Sequence, residues 1–532
     1  MIRKLLVANR GEIALRVFRT CRELGIATVA VVAPDDKGSL HARSADETVE
    51  IGSYLFSEEH IRTAKQTGAD AIHPGYGFLA ENPDFAEAVG AAELVWVGPP
   101  PDALRAGGDK LEAKRIAQEV GVPIVPTGEP DELGYPLIVK AAAGGGGRGM
   151  RVVRTPAELG EAVEAARREA KAAFGDDRVF CERYVERPRH VEIQLLGASA
   201  LGERDCSIQR RKQKVLEEAP SPAVDERLRS ALSEAAVAFA QAIGYENAGT
   251  AEFMVDGDDF FFLELNGRIQ VEHPVTELVT GVDLVQAQLR IATGESADVR
   301  PDPRGHAVEV RLYAEDPHTF FPQTGRVERL RLPDSIRVDA GVEEGDEIGI
   351  GYDPMIAKLI AHGTTRENAF ERLSAALAQT EVEGVTTNLP FLRWLVDHPL
   401  VRAGETTTAF LVEHPPLSQP PVRAPAKPWR TPFRLNLPSP APAPPPDVAT
   451  SSSDHRGTGG EQSRVVAPMP GTVIRLLVGE GDAVRARQPL VVLEAMKMET
   501  PLTSPYDATV RAVHVAEGDR VAGGAVLVEL EE

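Results

Sequence analysis

Cysteine is nearly missing from this chain of 532 residues: Cys21, Cys181 and Cys206 are the only three, and they stand far apart. Three distant thiols make no disulfide framework and no metal-ligand spacing, so a reducing, cytoplasmic location is expected. Positive charge is also in deficit, with 58 Lys and Arg against 80 Asp and Glu and a net charge of -22. So acidic a chain argues against nucleic acid or an anionic membrane as a partner. Long apolar runs are lacking too, and at the start, MIRKLLVANRGEIALRVFRT, Arg10, Glu12 and Arg16 break up the pattern. Neither a signal peptide nor a membrane span is expected there. What is present is an ordinary globular composition, at a length that predicts about three or four domains.

The first hundred residues alternate apolar runs with a helical pattern (Ile13, Val17, Cys21, Leu24), as a parallel sheet with crossover helices requires. Those residues contain no G-x-G-x-x-G turn, so dinucleotide binding there is not supported. A second landmark lies far downstream. Thirteen of the 41 prolines fall between Pro415 and Pro446, and ATSSSDHRGTGGEQS follows, so residues 415–463 are expected to be linker. Fully flexible, those 49 residues would reach roughly 40 Å.

Beyond the linker the chain repeats itself at an offset of 37 residues. Pro468 falls on Pro505, Thr472-Val473 on Thr509-Val510, one EGD on another, and Leu493-Glu494 on Leu530-Glu531. Two copies of an alternating, turn-punctuated unit predict a small β barrel with internal two-fold symmetry. Lys497, in EAMKME, lies in the ten residues that join the copies.

Two further segments carry polar groups in suggestive places. YPLIVKAAAGGGGRGMRVVR is strand, glycine-rich loop and strand; it lacks the Gly-Lys-Ser/Thr ending of a Walker loop. Taken alone, Gly144 to Gly147 read equally as a linker or as a nest of N–H groups for phosphate, with Lys140 and Arg148 adding charge. In GTAEFMVDGDDFFFLELNGRIQVEHPVTE, two strands flank DGDD and carry Glu252 and Glu264, with Asn266 just beyond. Such carboxylates are either solvated or share a hard cation. Arg268, Gln270, Glu272 and His273 follow at once, a polar run that burial would penalise unless a ligand or ion paired with it.

In order along the chain, ANRGEIALR, HPGYGFLAEN, AAAGGGGRGMRVV, PRHVEIQ, RDCSIQRR and ELNGRIQVEHPVTE resemble biotin carboxylase, an ATP-grasp enzyme, over nearly all of residues 1–414. EAMKME resembles the attachment site of biotin carboxyl carrier domains, where the central lysine forms an amide with biotin. The resemblance implies an α/β and α+β architecture: a doubly wound N-terminal domain (1–110), a mobile lid region (111–197), an ATP-grasp and C-terminal domain (198–414), the linker (415–463), and an all-β biotinyl/lipoyl-type barrel (464–532).

It also implies roles. Lys110, Lys140 and Gly144, Gly145, Gly146 and Gly147 would bind ATP, with Glu182, His190 and Gln209 near the nucleotide. Glu252, Glu264 and Asn266 would hold Mg²⁺ or Mn²⁺. Arg268, Gln270 and the backbone of Val271 would grip bicarbonate, Glu272 would take its proton, Lys214 would assist, and Arg311 would stabilise the biotin enolate. The implied activity is ATP- and bicarbonate-dependent carboxylation of biotin on Lys497, through carboxyphosphate. Implied partners are a carboxyltransferase (β) subunit, a biotin protein ligase and further copies of the chain, with no nucleic acid and no membrane. The final acceptor stays open among acetyl-, propionyl- and methylcrotonyl-CoA, with pyruvate more remote; a non-catalytic biotinylated scaffold is the alternative. Three departures from the family pattern stand out: Lys212 where histidine is usual, Gly267 where a larger residue is usual, and shortened loops. Gly267 is expected to loosen the loop that carries Arg268.

Overall fold

The computed structural model describes residues 2–142, 150–210, 212–295, 299, 302–349, 351–418, 464–467, 471–495, 498–521 and 523–531. Gly144 to Gly147, Arg148, most of the proline-rich stretch and Lys497 therefore lie outside the described residues.

The chain opens with β1 (Lys4–Val7), α1 (Gly11–Leu24) and β2 (Ala27–Val32). Ile13, Ala14, Val17, Phe18 and Cys21 form the buried stripe of α1 at helical spacing. The helix stops at Gly25, whose φ of 70° lets Ile26 N–H reach back to the Cys21 carbonyl at 2.8 Å. With β3 (Glu47–Glu50), β4 (Ala71–His73) and β5 (Val95–Trp96), these strands make an all-parallel sheet in the order β3-β2-β1-β4-β5. Strand order reverses at β1, so Asn9 to Glu12 and Gly75 to Tyr76 emerge at the crevice where such sheets bind ligands.

Next, α2 (Lys110–Glu119) is capped by the Asp109 side chain, which accepts from Leu111 and Glu112 N–H groups. A small antiparallel sheet follows, β7-β6-β8, made of β6 (Leu137–Ala141), β7 (Arg151–Val153) and β8 (Val179–Arg183). Helix α3 (Leu159–Phe174) packs on it, burying Ala166 against Leu137, Val139 and Val153.

The largest sheet has eight strands in the order β13-β12-β9-β10-β11-β14-β16-β15. They are β9 (Arg189–Leu196), β10 (Ser199–Arg210), β11 (Gln213–Ala219), β12 (Ala248–Asp256), β13 (Asp259–Asn266), β14 (His306–Tyr313), β15 (Arg337–Ala340) and β16 (Met355–Gly363). All its pairings are antiparallel. The sequence boundary at 197 groups β9 with the lid, but β9 hydrogen-bonds to β10 and β12 inside this sheet. The compact lid sheet is β6 to β8 alone, because β9 finds its partners among strands that follow it in sequence. Helix α4 (Glu226–Ala242) covers one end, with Leu228, Leu232 and Phe239 packed on Val191, Ile193 and Phe253. Short α5 (His273–Thr280) lies across the middle strands, where Val275 meets Ala219, Ala307 and Ile360. Among the described residues no helix is long and apolar enough to cross a membrane.

The tail folds as two four-stranded sheets around Val473, Leu490, Val491, Leu493, Leu527 and Val528. Strands Gly471–Leu476, Ala483–Val484 and Pro489–Ala495 recur as Ala508–Val513, Arg520–Val521 and Val526–Glu531. The 37-residue offset thus exchanges the two sheets, which is the predicted two-fold.

Candidate active site

One face of the eight-stranded sheet is polar and dry. Along β9, Val191, Ile193 and Leu195 point into the core with α4, whereas His190, Glu192 and Gln194 point the other way; Glu192 and Gln194 are fully buried. Arg204 on β10 fixes that row. Its Nε lies 2.5 Å from Glu192 Oε1, and its Nη1 donates to Gln194 Oε1 (2.6 Å) and Thr276 Oγ1 (2.8 Å).

Lys214 on β11 is the hub. Its Nζ reaches Glu192 Oε2 at 2.5 Å, Glu272 Oε1 at 2.6 Å and Glu252 Oε1 at 2.8 Å. Three carboxylates hold its pKa well above the ordinary lysine value even though burial works against the charge. Glu272, the residue before α5, is wholly buried; its second oxygen takes Arg311 Nη2 at 2.9 Å. Burial would raise its pKa, but Lys214 and Arg311 overrule it and hold Glu272 well below the usual carboxylate range.

Glu252 on β12 and Glu264 on β13 are opposite each other in register, as the hairpin reading predicts. Asn266 Nδ2 donates to Glu252 Oε1 at 2.9 Å, and His190 Nε2 lies 3.0 Å from Glu252 Oε2. Gln209 Nε2 stands 2.8 Å from the other ring nitrogen of His190. Burial pulls His190 down, but Glu252 and Glu192 overcome this and its pKa ends raised. His190, Glu192 and Glu252 could each offer one atom to a common ion, but the Lys214 ammonium already bonds both carboxylates. At the outer edge, partly exposed Glu264 and Asn266 stand beside buried Glu252, an oxygen-rich set of the kind Mg²⁺ or Mn²⁺ takes.

Around the root of the lid, positive charge is in excess. Lys140 Nζ lies 2.5 Å from Glu182 Oε2, and Lys114, one turn into α2, contacts the same buried carboxylate. Lys110 Nζ reaches Glu264 at 3.3 Å and so ties this cluster to the glutamate hairpin. Burial and the charge of Lys110 push Lys140 and Lys212 each down to about 8. Lys212, at φ 65°, therefore belongs to this cationic field, in the place where histidine is usual. A crowd of ammonium groups that depress one another is stabilised by a polyanion such as a nucleotide's phosphates.

The loop from Gly267 to Val271 closes the site from the side. Arg268 donates to Glu81 (Nε, 3.0 Å), Gln270 Oε1 (Nη1, 3.2 Å) and Asn266 Oδ1 (Nη2, 3.2 Å). Gln270 is buried, and its Nε2 has no hydrogen-bond partner among the described residues, which leaves an amide donor for an anion. The Val271 carbonyl accepts from Lys358 at 2.9 Å. The loop is not loosened by Gly267. Its N–H donates to Glu81 Oε1 at 3.0 Å, and a Cβ there would come within 2.6 Å of Leu104 Cδ2. Glycine is needed for that approach, and Glu81 fastens both it and Arg268.

The described residues assigned from the sequence fall in these two neighbouring groups, the lysines around Glu182 and the network around Lys214, Glu252 and Arg268, with Lys110 on Glu264 beside both, and the structure adds Glu81, Lys114, Glu192, Arg204 and Lys358. Lys114 had a signal, since it stands one helical turn from Lys110. Glu81 had none, because its partner Arg268 is 187 positions away.

Comparison with known proteins agrees with this geometry. Residues 1–104 match the family model "Biotin carboxylase, N-terminal domain", 109–299 "Carbamoyl-phosphate synthase L chain, ATP binding domain", 309–413 "Biotin carboxylase C-terminal domain" and 463–530 "Biotin-requiring enzyme". The chain is 48% identical to the propionyl-CoA carboxylase alpha chain of Ruegeria pomeroyi over 466 residues, covering 78% of this chain and 68% of that one. It is 41% identical to the biotin-dependent acyl-coenzyme A carboxylase alpha3 subunit of Mycobacterium leprae, across 100% of this chain and 99% of the relative. A crystal structure of the biotin carboxylase domain dimer of Hydrogenobacter thermophilus 2-oxoglutarate carboxylase, in complex with MgADP, ADP and bicarbonate, superposes with a TM-score of 0.75 at 43% identity, covering 78% of this chain and 98% of that one. A buried glutamate held between a lysine and an arginine, a cluster of lysines and a duplicated barrel are thus joined in one polypeptide, and the chain belongs to the biotin carboxylase family, in the form of an acyl-CoA carboxylase α-type subunit with its own biotin–lipoyl domain.

Proposed function

We propose that Glu272, clamped between Lys214 and Arg311, is the base that takes the proton of bicarbonate as it is phosphorylated by ATP. The carrying observation is that one buried carboxylate touches both cations at 2.6 and 2.9 Å, beside an unpaired Gln270 amide. A carboxylate held this far down is a weak base while both cations rest on it. Bicarbonate entering between Gln270 and Arg268 draws positive charge toward itself, which returns basicity to Glu272 as the proton must move. Arg268 suits this grip because its planar fork matches a carboxylate-like anion.

Lys110, Lys114 and Lys140 bind the nucleotide phosphates, and Glu252, Glu264 and Asn266 hold the divalent cation. Bound biotin supplies a ureido nitrogen as carboxyl acceptor, and the bound cation supplies charge to the transferring phosphoryl group. Arg311 presents its guanidinium to the negative charge that builds on the acceptor. A passive scaffold would have no use for three carboxylates held around one buried ammonium.

The final acceptor is an acyl-CoA, in keeping with the names of the relatives, and transfer takes place on a separate carboxyltransferase subunit. Given Mg-ATP and labelled bicarbonate, the purified biotinylated chain should place label on itself and on no acyl-CoA until that second subunit is added. Steady labelling of an acyl-CoA by this chain alone would overturn the division of labour.

A further inference from the structure

Behind Arg311 two acidic side chains meet in a dry place. Glu217 on β11 and Glu309 on β14 are direct cross-strand partners in the antiparallel register, and both are wholly buried. Such partners project to one face of the sheet with Cβ atoms about 4.5–5.5 Å apart. Glu217 meets Arg311 Nη2 at 2.5 Å, the same nitrogen that lies 2.9 Å from Glu272. Neither oxygen of Glu309 has a hydrogen-bond partner among the described residues.

The cations around the pair are already committed. Lys214 on β11 serves Glu192, Glu252 and Glu272, and Arg204 on β10 serves Glu192. Lys358 on β16 lies 3.1 Å from Glu12 and 2.9 Å from the Val271 carbonyl. The other titratable groups nearby, Cys206 on β10 and His273 at the head of α5, are buried and held neutral: burial raises the thiol and lowers the imidazole. Two ionised carboxylates in direct opposition, both fully buried and with an arginine contacting only one of them, are unfavourable, and such pairs keep a proton between them. Burial pushes both Glu217 and Glu309 above the ordinary glutamate value, which agrees with the geometry.

We propose that Glu217 and Glu309 share one proton through the pH range of turnover, and that this proton leaves Arg311 with positive charge to offer the carboxyl acceptor. The inference rests on the reading of Arg311 given above. With the proton lost, Arg311 would face three ionised carboxylates instead of two, and less of its charge would remain for the acceptor. Both glutamates are positioning residues: they act on the acceptor through Arg311.

Glu309→Gln copies the protonated side chain in shape and neutrality. In D₂O at neutral pH the full biotinylated chain should show the infrared C=O stretch of a protonated carboxyl, and the variant should lack it. The alkaline limb of its biotin-dependent rate, scaled to its own neutral value, should move up by about one pH unit or more. Folded wild type carries one proton more than the unfolded chain between the ordinary and the raised glutamate pKa, so its stability should fall relative to the variant as pH rises through that window. Absence of the band from wild type, or superimposable alkaline limbs, overturns the proposal. Should Glu309→Gln not fold, Glu217→Gln carries the same comparisons. Full biotin carboxylation by Arg311→Gln would overturn the role of Arg311 instead, while the wild-type infrared band reports the proton whatever Arg311 does.

Discussion

Glu272 is the residue proposed as the base, and its surroundings set the size of the effect its loss should have. Glu272→Gln keeps the volume and one acceptor oxygen for Lys214 or Arg311 but removes the charge that both cations hold. Nucleotide binding should survive, since the lysines around Glu182 are untouched, while bicarbonate-dependent ATP cleavage falls by a factor on the order of 10² or more. Turnover at the wild-type rate in a steady-state assay would remove Glu272 from the mechanism. The sequence made this residue legible because a polar run follows a strand directly and ELNGRIQVEHPVTE resembles biotin carboxylase. It hid Glu192, Glu217 and Glu309, because a glutamate that alternates with valine or leucine looks like the solvated face of a strand. Only the burial of these side chains in the folded sheet shows that this face is covered.

At the scale of elements, period and punctuation carried far. Helix α1 spans the whole pattern from Ile13 to Leu24, the DGDD hairpin brings Glu252 opposite Glu264, and the two barrel sheets follow the 37-residue offset. The allotment of β9 could not be read this way, because one strand's alternation says nothing about which sheet it joins. Nor could the setting of Gly267, whose reason is a leucine from a helix more than 160 residues earlier. Gly267→Val tests that contact. Leu104 is buried, with little room to yield, so the loop should shift and pull Arg268 from Glu81. The expected outcome is a bicarbonate KM raised several-fold with the ATP KM nearly unchanged, and a stability loss of about 1–3 kcal/mol. Equal change in both constants, or in neither, would dissociate the loop from bicarbonate.

At the scale of the whole molecule, the carboxylase body and the barrel have separate cores and are joined by a segment whose composition offers none. Lys497 is predicted to be the sole attachment point for biotin, so a streptavidin blot of Lys497→Arg should be blank while ATP cleavage with free biotin continues. A persistent band would place the attachment elsewhere. The tandem construction of the barrel has one more consequence, and it is arithmetical. Two copies of a unit close around one core and meet at one seam, and whatever sequence is written at the seam is written once. Duplication thus doubles the scaffold and leaves the seam single, so with biotin on Lys497 a stoichiometry of one carboxyl group per chain is expected.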